Sequence, residues 1–508
     1  MTSAEPWTKA SGMLLSNGPR TARSPISAQL VRRFASIVGE ANCISEPSQL
    51  VTYECDALPH LRARPGLVVL PESRDEVVAV MKLAHEAGLS VVPRGSGTGL
   101  SGGAMPSEGC LLLGLSRMRR ILEIDLDNGW MRVEPGVVNL DITKRLQPHG
   151  YYYAPDPSSA QVCSIGGNVA ENSGGAHCLK YGFTTHHVLG AELVLADGSV
   201  VQLGGPVLDA PGYDLRGALV GSEGTLGVVT QVVVRICRAP ETTRTLLASF
   251  ASTADAGNAV SLIIAGGILP AAIEMMDKMA IDAVRAVMGV HLPDVTAVLL
   301  MDVDGTTAEV EHTAEKAIER CRAAGALEVR QPANAAERDA MWRGRKSAFT
   351  AMGRLSPNYI VQDGVIPRSQ IARVLTEIAR LSEHYGVRVA NVFHAGDGNL
   401  HPLVLYDASV PDEARRAEAC SGEIVRLCVS SGGSITGEHG VGADKAAYMG
   451  EMFSETDLET MNLLRCAFDP ERRFNPGKVF PTPRLCGDLP GKHYVPHPAE
   501  VDGRIGRG

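Results

Sequence analysis

The sequence lacks several features that mark large classes of protein. Its 11 cysteines are scattered, odd in number and never arranged as Cys-x-x-Cys, so neither a disulfide framework nor an iron–sulfur ligand set is visible. No apolar run approaches the ~20 residues that span a bilayer, and no apolar core of a secretory signal is present near the N-terminus. We therefore expect a cytoplasmic protein in a reducing compartment, held at a membrane, if it works at one, by something other than its own chain.

A surplus of positive charge is also missing. Lysine and arginine total 48 against 57 aspartates and glutamates, and the formal net charge is −9. Such a chain has no basic surplus for phosphates, which argues against a sequence-independent nucleic-acid binder. With 508 residues, of which 44% are apolar, it is expected to be globular and to form two or three domains.

What the sequence has instead is glycine in closely spaced tracts, and the first follows an α/β unit. Residues 67–70 are typical of a buried strand, a capping box at 73–76 opens an amphipathic helix, and 89–93 form a second strand. Residues 97–102 match G-x-G-x-x-G, but no helix follows, so the Rossmann interpretation fails. A loop whose N–H groups bind a pyrophosphate and a flexible surface loop remain alternatives.

Two further small-residue tracts occupy residues 154–182 and 221–230. Together with the first, they suggest one large dinucleotide lying across a mainly β scaffold, because small residues let a ligand approach the backbone closely. From about residue 238 the chain changes to alanine-rich helical stretches that alternate with strands such as 297–302. We place a domain boundary near residues 239–240.

A hairpin is predicted at residues 391–406, Asn-Val-Phe-His-Ala-Gly-Asp-Gly-Asn-Leu-His-Pro-Leu-Val-Leu-Tyr. Its Asp-Gly pair is a strong signal for a two-residue type I′ turn. That turn would place His394 directly opposite His401, with Cβ atoms roughly 5 Å apart, close enough to share a metal. Ordinary surface or core histidines are the alternative.

A third metal ligand is expected from residues 433–442, Gly-Ser-Ile-Thr-Gly-Glu-His-Gly-Val-Gly. Neighbouring side chains of extended backbone point to opposite sides. Glu438 would therefore complete a two-His, one-carboxylate site with an open position, while His439 faces a substrate. The metal itself is not determined, since zinc, manganese and iron all suit such ligands.

These motifs carry a resemblance to a known family. Through residues 93–102, 156–159, 165–172 and 221–227, the first half resembles the FAD-binding domain of the vanillyl-alcohol oxidase and p-cresol methylhydroxylase (PCMH) group. Through the hairpin and the Gly-Glu-His-Gly motif, the second half resembles the FAD-linked oxidase C-terminal domain of D-2-hydroxy acid dehydrogenases. The resemblance extends over nearly the whole chain.

The resemblance implies an α+β fold in four parts. A PCMH-type FAD-binding domain is expected over residues 26–239 after an N-terminal tail, and a ferredoxin-like substrate domain with the metal site over 240–465. Residues 466–508 would return to the flavin and end in a tail, of which 484–508 is either a docking segment or disordered.

The resemblance also assigns cofactor-binding residues. FAD is expected to be non-covalent, because residues 89–105 contain no histidine for a tether. The residues implied to bind it are Arg94, Gly95, Ser96, Gly97, Thr98, Gly102, Asp156, Ser159, Ser164, Gly167, Asn168, Asn172, Gly175, Glu223, Gly227, Val228, Val229 and Asn475.

The catalytic assignments follow the same resemblance. His394, His401 and Glu438 match the family's metal ligands, His439 matches its base, and Arg345 is expected to bind the substrate carboxylate. For Arg345 the alternative is a solvated charge cluster on a helix.

The expected reaction is oxidation of a short 2-hydroxy acid, such as glycolate or D-lactate, to the 2-oxo acid. The expected partners are an iron–sulfur subunit and a second flavoprotein-like subunit that pass electrons to quinone. A stand-alone D-lactate or D-2-hydroxyglutarate dehydrogenase, a flavin reductase using NADPH, and a non-catalytic flavin-binding subunit are the alternatives.

Overall fold

Short buried strands and helices form the N-terminal half in the computed structural model, which describes residues 26–208, 211–289 and 292–481. The strands are β1 (Cys43–Ile44), β2 (Leu67–Val69), β3 (Val91–Arg94), β4 (Leu111–Gly114), β5 (Ile121–Asp125), β6 (Trp130–Val133), β7 (Tyr151–Tyr152), β8 (Val188–Val194), β9 (Val200–Gly204), β10 (Val228–Arg235) and β11 (Cys237–Arg238). The helices are α1 (Ala28–Val38), α2 (Pro47–Leu50), α3 (Arg74–Glu86), α4 (Asn139–Leu146), α5 (Ile165–Glu171), α6 (Cys178–Tyr181) and α7 (Leu215–Leu219).

These strands form three sheets. One has the order β1-β2-β4-β3, with β2, β4 and β3 parallel, and a second is antiparallel with the order β5-β6-β10-β8-β9. The third pairs β7 with β11. Each of the two larger sheets has its own apolar core, so the glycine-rich tracts between them lie where the sheets meet.

The α/β unit expected from the sequence is present. Strand β2, helix α3 and strand β3 occur in the predicted order, and Ser73 caps α3 by accepting the N–H of Glu76 at 3.3 Å. No helix begins in the glycine-rich stretch of residues 95–105. The rejection of the Rossmann interpretation is therefore confirmed.

The remaining chain forms larger elements. Its strands are β12 (Thr242–Phe250), β13 (Ala272–Asp277), β14 (Ala297–Gly305), β15 (Glu328–Arg330), β16 (Asn358–Val361), β17 (Gly364–Val365), β18 (Arg388–His394), β19 (Asn399–Leu400) and β20 (Pro402–Tyr406). Its helices are α8 (Thr253–Ala265), α9 (Lys278–Met288), α10 (Thr307–Ala323), α11 (Ala335–Lys346), α12 (Ala348–Met352), α13 (Ile371–Tyr385), α14 (Pro411–Ser430), α15 (Met449–Met452) and α16 (Glu455–Phe468).

These strands build one antiparallel sheet of nine strands, with the central order β12-β14-β13-β18. Helices α8, α10, α13 and α14 cover one face, and α9, α11 and α12 cover the other. Because both faces are buried, the first five residues of β14, 297–301, form a continuous apolar run instead of an alternating one. Polar side chains inside this sheet are therefore exceptions that need partners.

Helix α6, a short segment of the N-terminal half, contacts the second half of the chain. Lys180 forms an ion pair with Asp304 at the end of β14, and the Tyr181 hydroxyl donates to Asp304 Oδ2 at 2.7 Å. Leu179 packs against Gly396, where any Cβ would lie 2.6 Å from the Leu179 side chain. The C-terminal segment also returns to the first half, where Phe474 bridges Val91.

The expected tails, residues 1–25 and 484–508, lie outside the described residues. Within the described part of the chain, no helix combines the length and the hydrophobicity that crossing a membrane requires.

Replacing Asp304 by alanine is expected to lower the thermal unfolding temperature. The substitution removes a carboxylate that is 8% exposed and that binds both Lys180 and the Tyr181 hydroxyl. This loss is worth about 1–3 kcal/mol. Differential scanning fluorimetry of D304A measures the change. The control is D294A, whose carboxylate is 70% exposed in its ion pair with Lys278 and should matter little; equal effects of the two substitutions would contradict the proposed role of Asp304.

Candidate active site

The predicted histidine hairpin is present, but its register is not the predicted one. Strand β18 returns through four loop residues, 395–398, and His394 pairs with Asn399 instead of His401. A type I′ turn needs positive φ at both central residues, and of the Asp-Gly pair only Gly398 has it, at +83°. The two-residue turn and the direct pairing of the histidines were therefore wrong predictions.

The histidines nevertheless lie on one face, because the observed register differs from the predicted one by two residues. A shift of two keeps every side chain on its face, whereas a shift of one would reverse it. The ring centroids of His394 and His401 are 5.1 Å apart. The longer loop contacts a segment that is distant in sequence: Ile366 donates its N–H to the Gly398 carbonyl at 3.0 Å.

Glu438 meets both histidines from a separate loop. Its Oε1 lies 3.1 Å from His394 Nε2 and 3.4 Å from His401 Nε2, and the ligand atoms of the three residues all lie within 4.8 Å of one another. Glu438 Oε2 and His401 Nε2 are buried and form no hydrogen bond with any described residue. A metal ion would satisfy these atoms, so the residues fit the predicted two-His, one-carboxylate site.

Glu274 is a further member of this cluster that the sequence interpretation missed. Strand β13 lies beside β18, and Glu274 is the ladder partner of His394, so the two side chains share a face. Glu274 Oε1 accepts from His394 Nδ1 at 2.6 Å. A carboxylate in this position fixes the orientation and tautomer of a metal-ligating histidine. The available signal was a glutamate inside the buried run of β13.

Arg345 lies behind Glu274 and is 2% exposed. Its Nη2 forms an ion pair with Glu274 Oε2 at 2.5 Å, and its guanidinium lies over the ring of Phe349, which in turn contacts the ring of His401. Although burial acts in the opposite direction, Arg345 and His394 hold the pKa of Glu274 below its usual value. Arg345 is therefore not part of a solvated charge cluster.

His439 stands beside the three ligands. Its ring is stacked on that of His401, with centroids 5.1 Å apart and planes 5° apart. Burial lowers the pKa of His439 to about 4, against the opposing charge of Asp363, so the imidazole is neutral at pH 7. Burial would raise the pKa of Glu438, but His394, His401 and His439 lower it to about 2. The neutral imidazole of His439 thus lies next to the ionised carboxylate of Glu438.

Asp363 fixes the loop that carries these two residues, and it too was missed from the sequence. Its carboxylate accepts the N–H groups of Gly437 and His439 at 2.9 Å each and of Glu438 at 3.2 Å, and it faces the buried ammonium of Lys445. Burial would raise the pKa of Asp363, but the neighbouring histidines and Lys445 hold it well below the usual value. Asp363 precedes a glycine, and in the sequence such a pair indicates an ordinary turn.

A cavity lies between the glycine-rich tracts of the N-terminal half. Six of the residues expected to bind FAD line it: Arg94, Gly95, Gly167, Glu223, Gly227 and Val229. Nearby, Ser164 Oγ and Asn475 Oδ1 are buried without a hydrogen-bond partner among the described residues. These free polar atoms and the glycine lining fit a bound dinucleotide.

Several other residues expected to bind FAD form contacts within the protein. The Arg94 guanidinium donates to the carbonyls of Cys55 and Ala104, at 2.8 and 3.2 Å, and the Asn168 carboxamide accepts from Asn139 at 3.0 Å. Asp156 forms an ion pair with His177. Their direct contact with FAD stays a prediction.

The remaining residues expected to bind FAD lie in the same tracts but do not line the cavity. They are Ser96, Gly97, Thr98, Gly102, Ser159, Asn172, Gly175 and Val228. Four of them have positive φ: Gly97 at +71°, Gly102 at +75°, Asn172 at +53° and Gly175 at +137°. A Cβ at Gly97 would lie 2.3 Å from the Arg94 guanidinium, so Arg94 would have to move to admit a side chain there.

Two buried glutamates close the cavity toward the His439 loop. Burial raises the pKa of Glu171 well above its usual value, and the charge of Glu223 adds to the rise. Burial also raises the pKa of Glu223, to about 7, although the N–H groups of Val441 and Gly442 act in the opposite direction. The cavity and the metal-ligand cluster are therefore adjacent and share a boundary.

Comparison with protein families gives two matches that together span most of the chain. Residues 65–204 match the family described as FAD binding domain, and residues 239–479 match FAD linked oxidases, C-terminal domain. Both matches agree with the resemblance noted in the sequence.

Similar proteins of known name cover nearly the same length. The glycolate oxidase subunit GlcD of Escherichia coli K12 is 48% identical, covering 89% of this chain and 91% of that protein. The GlcD subunit of Bacillus subtilis is 39% identical, covering 90% and 97%. A D-lactate dehydrogenase of Archaeoglobus fulgidus is 35% identical, covering 84% and 95%.

Solved structures resemble the fold at lower sequence identity. p-Cresol methylhydroxylase with substrate bound superposes with a TM-score of 0.75 at 19% identity, covering 91% of this chain and 98% of that one. The 4-ethylphenol oxidase of Gulosibacter chungangensis gives 0.74 at 20% identity, covering 91% and 99%. The predicted fold class, α+β with a PCMH-type domain, is confirmed.

Replacing Glu274 by glutamine is expected to weaken metal binding roughly tenfold to hundredfold, because His394 loses the carboxylate that orients it. Metal content after dialysis against a graded chelator series measures this. E192Q is the control, since Glu192 is buried to a similar extent in the five-stranded sheet. Equal metal retention by E274Q and the wild type would contradict the role given to Glu274.

Proposed function

This chain belongs to the FAD-linked oxidases and is an FAD-linked oxidoreductase, and we propose that it catalyses the metal-assisted oxidation of a short 2-hydroxy acid to the 2-oxo acid. The observation that carries the proposal is the buried cluster of His394, His401 and Glu438 with a neutral His439 beside it. A flavin alone needs no such cluster. Glycolate and D-lactate are the proposed substrates.

His394, His401 and Glu438 would hold a divalent metal, and the cavity between the glycine-rich tracts would hold non-covalent FAD. When bound, the metal would lower the pKa of a substrate hydroxyl and FAD would supply the hydride acceptor. His439 would take the hydroxyl proton of the substrate. Its low pKa leaves the imidazole unprotonated and able to accept that proton at neutral pH.

Arg345 is proposed to anchor the substrate carboxylate. Its Nη2 is engaged by Glu274, but its Nε is buried and forms no hydrogen bond with any described residue, so the guanidinium retains a donor for an anion. Arg345 would hold the single carboxylate of a small substrate while the cluster of His394, His401 and Glu438 receives the hydroxyl.

The named relatives support this substrate class. Two are glycolate oxidase subunits and one is a D-lactate dehydrogenase. We propose that this chain is the flavin-carrying subunit of a glycolate oxidase, acting on the cytoplasmic side of the membrane. An iron–sulfur subunit and a second flavoprotein-like subunit would carry its electrons to quinone. The D-lactate dehydrogenase relative supports a stand-alone enzyme as the second candidate.

Anaerobic reduction of the bound flavin tests the proposal. Glycolate, D-lactate, L-lactate and D-2-hydroxyglutarate are added separately to the purified protein, before and after chelation, and the flavin absorbance is followed. We expect glycolate or D-lactate to bleach the flavin, chelation to abolish this, and restored metal to recover it. A non-catalytic subunit would bind FAD without metal, and bleaching by none of the four acids would contradict the proposal.

Replacing His439 by asparagine is expected to lower turnover by at least ~100-fold, because no other base replaces it. FAD and metal content should remain at wild-type levels, since the substitution leaves the three ligands in place. Stopped-flow flavin reduction measures the loss. H384N, which changes an exposed histidine of α13, is the control. Wild-type reduction rates in H439N would exclude His439 as the base.

A further inference from the structure

Glu223 lies in the third glycine-rich tract, and its carboxylate binds another segment of the chain. Its two oxygens accept the N–H groups of Val441 and Gly442 at 2.6 Å each. These amides follow His439 by two and three residues. Glu223 is 4% exposed and adopts φ +53°, a conformation that few non-glycine residues occupy. The surrounding structure therefore holds it in one orientation.

The contact is close because the loop presents bare backbone to the N-terminal half. A Cβ on Gly440 would lie 2.0 Å from Glu171 Oε2 and 2.9 Å from Glu223 Oε1, and a Cβ on Gly442 would lie 2.0 Å from the Ser101 carbonyl. Both glycines have positive φ, +88° and +53°. No side chain fits between the loop and the two glutamates.

The same loop is held from the opposite side by Asp363, which receives the amides of residues 437–439. One buried carboxylate from each half of the chain therefore holds the loop, Asp363 before Gly440 and Glu223 after it. Glu438 and His439 donate their own N–H groups to Asp363, and the residues held by Glu223 follow His439 directly after Gly440. The positions of Glu438 and His439 depend on both anchors, Asp363 and Glu223.

Glu223 is also connected to the cofactor cavity, which it lines. Its backbone carbonyl accepts from Asn475 Nδ2 at 2.7 Å, and the same amide group donates to Gly103, another lining residue, at 2.8 Å. A ligand in the cavity would therefore contact the residues that orient Glu223. A rigid hydrogen-bonded path leads from the cavity wall to the His439 loop.

We infer that Glu223 is a positioning residue that holds the loop of Glu438 and His439 against the flavin cavity, instead of a side-chain ligand of FAD. The inference rests on the proposed function, since it uses the proposed metal site.

The test is isothermal titration calorimetry of Zn²⁺ and Mn²⁺ into chelator-stripped, FAD-loaded E223Q. Glutamine keeps the size of the side chain but places an NH₂ group against one of two N–H donors. We expect the metal Kd to rise at least ~10-fold, with FAD content and the flavin absorption spectrum unchanged. D363N, which weakens the other anchor, should also raise the metal Kd. E192Q, remote from the loop, should not.

Two outcomes would overturn the inference. An unchanged metal Kd in E223Q would show that the contact does not set the site, and loss of FAD with unchanged metal affinity would make Glu223 a flavin ligand. Failure of the proposed function looks different, because the wild type itself would then bind no metal, or H394A would bind it equally well. If E223Q does not fold, amide hydrogen exchange of wild-type Val441 and Gly442 decides: slow exchange supports the anchor, and exchange at unprotected rates contradicts it.

Discussion

The burial of His394 and Glu438 beside Glu274 and Arg345 is the constraint on which the rest of the structure depends. These four side chains, each no more than 9% exposed, lie in or against a sheet whose buried residues are mostly apolar. Ionised groups are stable in such a place only when they are paired or hold a metal. Their mutual contacts therefore hold the side chains of the proposed reactive centre in place.

The second half of the chain supplies this chemistry and the first half supplies the cofactor cavity, so the contact between them determines the geometry of the whole site. It is made largely of backbone: Gly396 packs against Leu179, and Gly440 and Gly442 pack against Glu171, Glu223 and Ser101. Glycine at these positions permits an approach that a side chain would prevent. This close contact places the loop of Glu438 and His439 against two residues that line the cofactor cavity, Glu171 and Glu223.

The sequence predicts some parts of this arrangement and not others, for physical reasons. The common face of His394 and His401 is predictable because strand periodicity is local, whereas their register depends on Ile366, a contact from outside the hairpin. Glu274 and Asp363 escape prediction because they join the site only through sheet pairing and a loop contact across long sequence separations. The Ser73 cap of α3 is predicted correctly because Ser73 and Glu76 interact within one helical turn, but the Glu76 carboxylate accepts the N–H of Glu72 instead of that of Ser73, so the full capping box is not formed.

One metal ion bound by His394, His401 and Glu438 is expected at the centre of the site, and crystallography of the purified FAD-loaded protein can locate it. Diffraction data collected on both sides of the absorption edge of the bound metal show its position by anomalous scattering. We expect a single peak at about 2.1 Å from His394 Nε2 and His401 Nε2, with Glu438 as the third protein ligand. No peak there in crystals of protein that oxidises a 2-hydroxy acid, or a metal held by other residues, would show that this cluster is not the metal site.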